Sequence, residues 1–229
     1  MTLPSIEHAI LGSQYLCAYD YEPKTVLAEG FYRYRFGALD FADYYSGLEA
    51  SIYIGAGKLA FIVFRGSEMA LNDWINNLQV MKTSIGTTKV HTGWAFAVLG
   101  TFPSLMKAVT ELALLGYSLI LTGHSRGGAL AKIASVLIPF PTTCITFGAP
   151  PVAAQGELGG QDPAQYGLNK KQNEFFHFVN EGDWIPSLLL PFGYGMDSYI
   201  RLPAPEEKGL LAAHRLGAYY RSLRTFFSL

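Results

Sequence analysis

The sequence predicts an α/β domain whose mainly parallel central sheet is covered by helices on both faces. Short β-rich apolar runs alternate along the chain with helix-period segments, the pattern of strands joined by helical crossovers. One unit is explicit, because the apolar run 117–122 passes through a glycine-rich turn into a helical segment that reaches residue 138. With 229 residues, half of them apolar, the chain can bury one sizeable core, so a single domain over residues 1–229 is expected.

The elements follow in order. Residues 5–19 place Ile6, Ile10, Leu11, Cys17 and Ala18 at helical intervals with Ser5 as a possible N-cap. Residues 50–54 and 59–64 are β-rich runs separated by Gly55-Ala56-Gly57-Lys58, a hairpin signal. Residues 68–88 mix apolar and polar side chains without a firm period and read as a short helix plus loop. A long apolar helix is expected over 92–115, kinked or restarted at Pro103. Strands follow at 142–147 and 174–179. Residues 206–227 read as a terminal helix with Leu216, Tyr219, Tyr220, Leu223 and Phe226 on one face.

Composition narrows the function. Lys plus Arg (17) and Asp plus Glu (18) nearly cancel, and aromatic residues make up 14%, which argues against disorder and against a nucleic-acid partner. Cys17 and Cys144 are too few for a disulfide scaffold and lie in no zinc-ligand spacing, so no metal is expected. The most apolar stretches are broken by Gly123, Pro139, Pro186 and Pro191, short of the ~20 residues that span a bilayer, so no transmembrane segment is expected. The N-terminus lacks the basic start and cleavage pattern of a signal peptide, and the compartment stays open.

The chemistry centres on Gly123-His124-Ser125-Arg126-Gly127. Gly-x-Ser-x-Gly is weak evidence alone, but here it lies between a buried strand and a helix, where a sharp turn lifts a serine hydroxyl above the sheet edge. The helix beginning near Arg126 directs its positive end and N–H groups at the reacting carbon. Such a nucleophile needs a base. Only His177 and His214 follow Ser125; His177 sits inside an apolar strand, whereas His214 lies late, where loops reach the carboxyl edge of the sheet. Asp183 leaves the end of the strand between them and can hold the imidazole tautomer, with Glu181 and Asp197 as competitors.

Six ordered pieces resemble one family, the class 3 or fungal-type lipases of the α/β-hydrolase superfamily. They are Phe61-Ile62-Val63-Phe64-Arg65-Gly66-Ser67, Asp73-Trp74-Ile75-Asn76-Asn77-Leu78, Val90-His91-Thr92-Gly93-Trp94, Thr122 through Ala131, Thr146-Phe147-Gly148-Ala149-Pro150, and Val179-Asn180-Glu181-Gly182-Asp183-Trp184-Ile185-Pro186. The resemblance implies an α/β-hydrolase fold and hydrolysis of acylglycerols or similar lipid esters through Ser125, Asp183 and His214, with no metal or organic cofactor. It also implies an oxyanion hole from the N–H groups of Ser67 and Arg126, and a lid over about residues 68–81 that presents Met69 and Leu71 to substrate and meets a lipid–water interface. Leu189 and Phe192, within 188–194, are further candidates for the acyl pocket. Arg126 departs from the family's usual leucine and needs a carboxylate partner; Asp43, Glu68 and Glu181 are candidates. Phospholipase A1, aryl esterase, acyl transfer and a catalytically silent lipid-binding module remain alternatives.

Overall fold

The computed structural model describes residues 6–21, 27–34, 41–43, 48–66, 81–85, 88–154, 173–195, 198–206, 209 and 211–229. The oxyanion candidate Ser67, the pocket candidates Met69 and Leu71, and nearly all of the expected lid lie outside them, as does the N-cap candidate Ser5.

Helix α1 (Ile6–Tyr21) opens the chain, and the short strands β1 (Tyr32–Arg33) and β2 (Phe41–Asp43) follow. Strands β3 (Leu48–Gly55) and β4 (Leu59–Phe64) form the expected hairpin around a 3₁₀ turn at Ala56–Lys58. A two-stranded antiparallel unit, β5 (Lys82–Ile85) and β6 (Thr88–His91), leads into α2 (Thr92–Leu114). Then come β7 (Ser118–His124), α3 (Arg126–Leu137), β8 (Thr142–Phe147), β9 (Glu174–Asn180), β10 (Ile200–Leu202) and α4 (Leu216–Phe227).

The main sheet has the order β1-β3-β4-β7-β8-β9-β10, with β2 also paired to β3. From β4 to β10 every pairing is parallel; β3 and its edge partners are antiparallel. This is the α/β-hydrolase arrangement. Side-chain alternation splits the core. Ile52, Ile62, Leu121 and Cys144 face α2 and α3, while Phe61, Val63, Ile120, Phe147 and Phe178 face α1 and α4. Cys17 and Cys144 are buried in different clusters, so the sheet stands between them and no disulfide joins them.

Two helical expectations are corrected. Pro103 lies within the continuous α2 and neither ends nor restarts it; it is on the exposed side, as is Leu99 one turn earlier, so solvent can satisfy the carbonyl that loses its amide partner. The terminal helix begins at Leu216 and not near residue 206. Ala218, Tyr219, Ser222 and Leu223 form its buried side, and Tyr220 and Phe226 face outward. Among the described residues, α2 is the one helix long and apolar enough to cross a bilayer (23 residues, mean hydropathy 1.2), yet one side of it, including Trp94, Val98 and Leu105, packs into the core.

Candidate active site

The site is assembled at the carboxyl ends of β7, β8 and β9. Ser125 sits between β7 and α3 with φ 55° and ψ −127°, a conformation that non-glycine residues adopt only when their surroundings impose it. The imposing contacts are backbone to backbone. A Cβ at Gly123 would run into the Gly127 peptide, and one at Gly127 would run into the Phe64 carbonyl, so these glycines let α3 close onto the strand ends. Ser125 N–H donates to Phe147 O at 3.0 Å, which ties the turn to β8. The first amide bonded within α3 is that of Ala129, to Ser125 O at 3.3 Å; the N–H groups of the preceding turn, Arg126's first, point along the helix axis toward the sheet edge.

Asp183 and His214 meet. His214 Nδ1 lies 2.8 Å from Asp183 Oδ2, and the Asp183 side chain is fully buried while that of His214 is 13% exposed. Asp183 accepts two further bonds, from Tyr219 Oη to the same Oδ2 at 2.6 Å and from Ile185 N–H to Oδ1 at 3.0 Å. With three donors answering the carboxylate, it is held as an acceptor, and His214 meets it through Nδ1–H. Gly148, at φ +59°, leaves room for this pair: a Cβ there would stand 2.7 Å from Asp183 Oδ2, 2.8 Å from Tyr219 Oη and 3.0 Å from His214 Nδ1.

His177 is elsewhere. It is buried in β9 and hydrogen-bonded through Nδ1 to Thr146 Oγ1 at 2.8 Å, as its apolar strand setting suggests. Of the competing acids, Glu181 is exposed and Asp197 lies outside the described residues.

Tyr219 was legible only as a core position, and nothing local marks it as a partner of the carboxylate. Burial first, then the charge of Asp183 and the bond to it, push the Tyr219 phenol well above its usual range, so it donates throughout the neutral region. His124 packs against His214, ring to ring at 4.6 Å, and burial, followed by the charge of His214, holds it well below the ordinary histidine range.

The remaining candidates divide. Leu189 is 0% exposed and belongs to the core cluster that also holds Tyr194. Phe192, 51% exposed, sits on a 3₁₀ turn (Leu190–Phe192). The Arg126 side chain feels Tyr21 and Glu49, which oppose the lowering effect of burial on its guanidinium. Glu49 is also ion-paired with Arg65 at 2.9 Å. The acidic neighbour is therefore on β3, on the far side of β7 from Glu181, while Asp43's side chain and Glu68 lie outside what is described. No group of His, Cys, Asp and Glu among the described residues is arranged to hold a metal ion.

The class 3 lipase profile matches residues 61–192. Among solved structures, the chain is similar to a lipase of Rhizomucor miehei in a propeptide complex (TM-score 0.64, 20% identity, covering 89% of this chain and 70% of that one). It is also similar to a triacylglycerol lipase of Penicillium expansum (TM-score 0.66, 18% identity, 89% and 81% covered) and to a mono- and diacylglycerol lipase of Aspergillus oryzae (TM-score 0.57, 22% identity, 73% and 64% covered). A comparison with curated sequences gives no significant match.

Proposed function

From the premise that this chain belongs to the class 3 lipase family, and so is a serine carboxylic ester hydrolase acting on lipid esters, we propose that Ser125 is its nucleophile, His214 its general base and Asp183 the group that orients and charges with the base. The Asp183–His214 pair, joined through His124 to the strained Ser125 turn, is the observation that carries this reading. In the first half-reaction Ser125 Oγ attacks the ester carbonyl carbon as His214 Nε2 takes the hydroxyl proton. The carbonyl electrons move onto oxygen, where the Arg126 N–H, and by family resemblance that of Ser67, receive the oxyanion. Collapse expels the alcohol, which leaves with the proton from His214. Water then repeats the sequence on the acyl-enzyme and releases the acid. Asp183 keeps its negative charge throughout and stabilises the imidazolium.

The substrate class proposed is acylglycerols or similar lipid esters, handled by one domain spanning the whole chain and reached at a lipid–water interface. A short-chain p-nitrophenyl ester tests the chemistry: a burst of p-nitrophenol and an acyl adduct on Ser125 are expected, and Ser125→Ala should cost about 10⁴-fold or more in kcat. A folded Ser125→Ala enzyme retaining several per cent of turnover removes Ser125 from its role. Turnover that rises steeply once a triglyceride passes its solubility limit supports the interface; a plain hyperbolic response argues for an open, esterase-like site.

A further inference from the structure

The base is carried by a turn, residues 211–214, ahead of α4. His214 N–H and Arg215 N–H donate to Leu211 O and Ala212 O within the turn; its other two carbonyls are taken by side chains from elsewhere. Asn180 Nδ2 donates to Ala213 O at 2.8 Å, and His124 Nε2 lies 2.6 Å from the carbonyl oxygen of His214 itself. Asn180 ends β9 three residues before Asp183, and His124 ends β7 immediately before Ser125. Each strand that delivers a member of the proposed triad thus also delivers a donor to the loop bearing the third.

Both donors are buried, His124 at 7% and Asn180 at 1% exposure. A carbonyl oxygen only accepts, so the His124 ring must hold its proton on Nε2. Its Nδ1 is buried and makes no hydrogen bond among the described residues, so a second ring proton would have nothing to answer it. The ring is boxed in by His214 at 4.6 Å and, edge-on, by Tyr219 at 5.8 Å and Tyr21 at 6.3 Å. The bond reaches the backbone of His214 and not its imidazole. It therefore sets where the Cα–Cβ bond of the base points, while Asp183 sets the rotation of the ring.

We propose that His124 and Asn180 are positioning residues that clamp the turn carrying His214, with His124 acting as a neutral Nε2–H donor. The proposal rests on the reading of His214 as the base. Loss of a donor lets the turn shift, and a displacement of about 1 Å in a catalytic group can cost roughly 10²-fold. It leaves substrate binding alone, so the loss falls on kcat and spares KM.

The test compares His124→Leu, which removes the donor, with His124→Gln, whose amide reaches to a similar distance, using a short p-nitrophenyl ester. His124→Leu should lose about 10²-fold in kcat with KM changed less than about threefold, and His124→Gln should recover to within about fivefold of wild type. Asn180→Asp, isosteric but facing Ala213 O with oxygen, should lose kcat alone in the same way. The double variant should lose less than the product of the two, because both act on one turn. A folded His124→Leu enzyme with wild-type kcat, or a His124→Gln enzyme as slow as His124→Leu, overturns the clamp. Should His124→Leu not fold, the imidazole ¹⁵N spectrum of the wild-type enzyme decides: at neutral pH His124 must appear as the neutral Nε2–H form, and an Nδ1–H tautomer or a cation overturns the proposal. His214→Ala separates the two readings. If it still turns over, the base assignment falls and the clamp with it; if it is dead while His124→Leu is normal, only the clamp falls.

Discussion

Tyr219 Oη lies 2.6 Å from Asp183 Oδ2, the same oxygen that accepts from His214 Nδ1–H at 2.8 Å. The tyrosine also accepts from Asn180 N–H at 3.3 Å, so its hydroxyl links the β9 backbone to the carboxylate. Hydrogen bonds to a charged group contribute about 1.5–3 kcal/mol. Tyr219→Phe should therefore lower stability by roughly that amount in chemical denaturation and reduce kcat by about tenfold. Unchanged stability would mean that the carboxylate is satisfied without it.

Gly148 is predicted to tolerate no side chain. Its positive φ alone disfavours alanine by about 1–2 kcal/mol, but the added methyl would also press on Asp183, Tyr219 and His214 together, each at 3.0 Å or less. Gly148→Ala should lose at least about 10²-fold in kcat. Gly182→Ala supplies the contrast: φ is +87°, yet the nearest atom to its Cβ is that of Ala213 at 3.8 Å. It should cost only the backbone strain, about 1–2 kcal/mol, and keep most of kcat. Equal losses in the two variants would show that strain and not the methyl is responsible.

The two histidines after Ser125 separate cleanly. His214→Ala should be folded and inactive, because the Asp183 carboxylate then has no imidazole to orient. His177→Ala should retain turnover while losing about 1–3 kcal/mol, since it leaves Thr146 Oγ1 without its ring partner. The reverse pattern in esterase assays of purified, folded variants would move the base to His177.

His124 gives stability a defined pH dependence. The groups facing its ring are His214 from the turn before α4, Tyr219 from α4 and Tyr21 from α1. Its folded pKa is held well below the ordinary 6.5, so below that value the unfolded chain binds a proton that the native state refuses. Stability is then full above about pH 6.5 and declines as pH falls, by at most roughly 1.4 kcal/mol per pH unit from this residue. Urea unfolding at neutral pH and one unit below 6.5 should show the decline in the wild type, and His124→Gln should lack that component. The same slope in both proteins would assign it to other groups.

Much of this was legible in the sequence, and the limits have physical causes. Residues 117–138 announce themselves because a buried strand, a glycine turn and a helix leave signatures at three different periods, and Ser125 falls where they meet. The strands β1, β2 and β10 are two or three residues long, too short for any period to show, and β5 and β6 pair in a stretch without regular alternation. Leu189 could not be told from its neighbours Leu188 and Leu190, because chemistry is the same in all three and only tertiary packing decides which faces the core. The contacts of Asp183 with Tyr219 and of Asn180 with Ala213 span 36 and 33 residues; no local pattern encodes them. Placing the helix start ten residues early has the same origin, since residues 211–214 have good helical propensity and are drawn into a turn by His124, Asn180 and Asp183.

Arg126 is the sharpest departure from its family, because its N–H is proposed to serve the oxyanion while its side chain must put a permanent charge somewhere. Burial works against that charge, and Tyr21 and Glu49 work for it. Glu49 lies on β3, on the antiparallel side of the sheet, while Tyr21 ends α1 and packs edge-on to His124. Glu49 keeps Arg65 at 2.9 Å, so removing Arg126 does not strand a carboxylate, and the large penalty of breaking a buried pair, about 3–5 kcal/mol, does not apply. Arg126→Leu should change stability by about 1 kcal/mol or less and keep kcat on short neutral esters within about threefold, because the backbone donor is common to both residues. Arg126→Glu should be far worse, since it sets a second carboxylate beside Glu49. If Arg126→Leu instead abolishes kcat in a protein with a native unfolding midpoint, the guanidinium takes part in recognising substrate, and an ester carrying a negative charge becomes the one to assay.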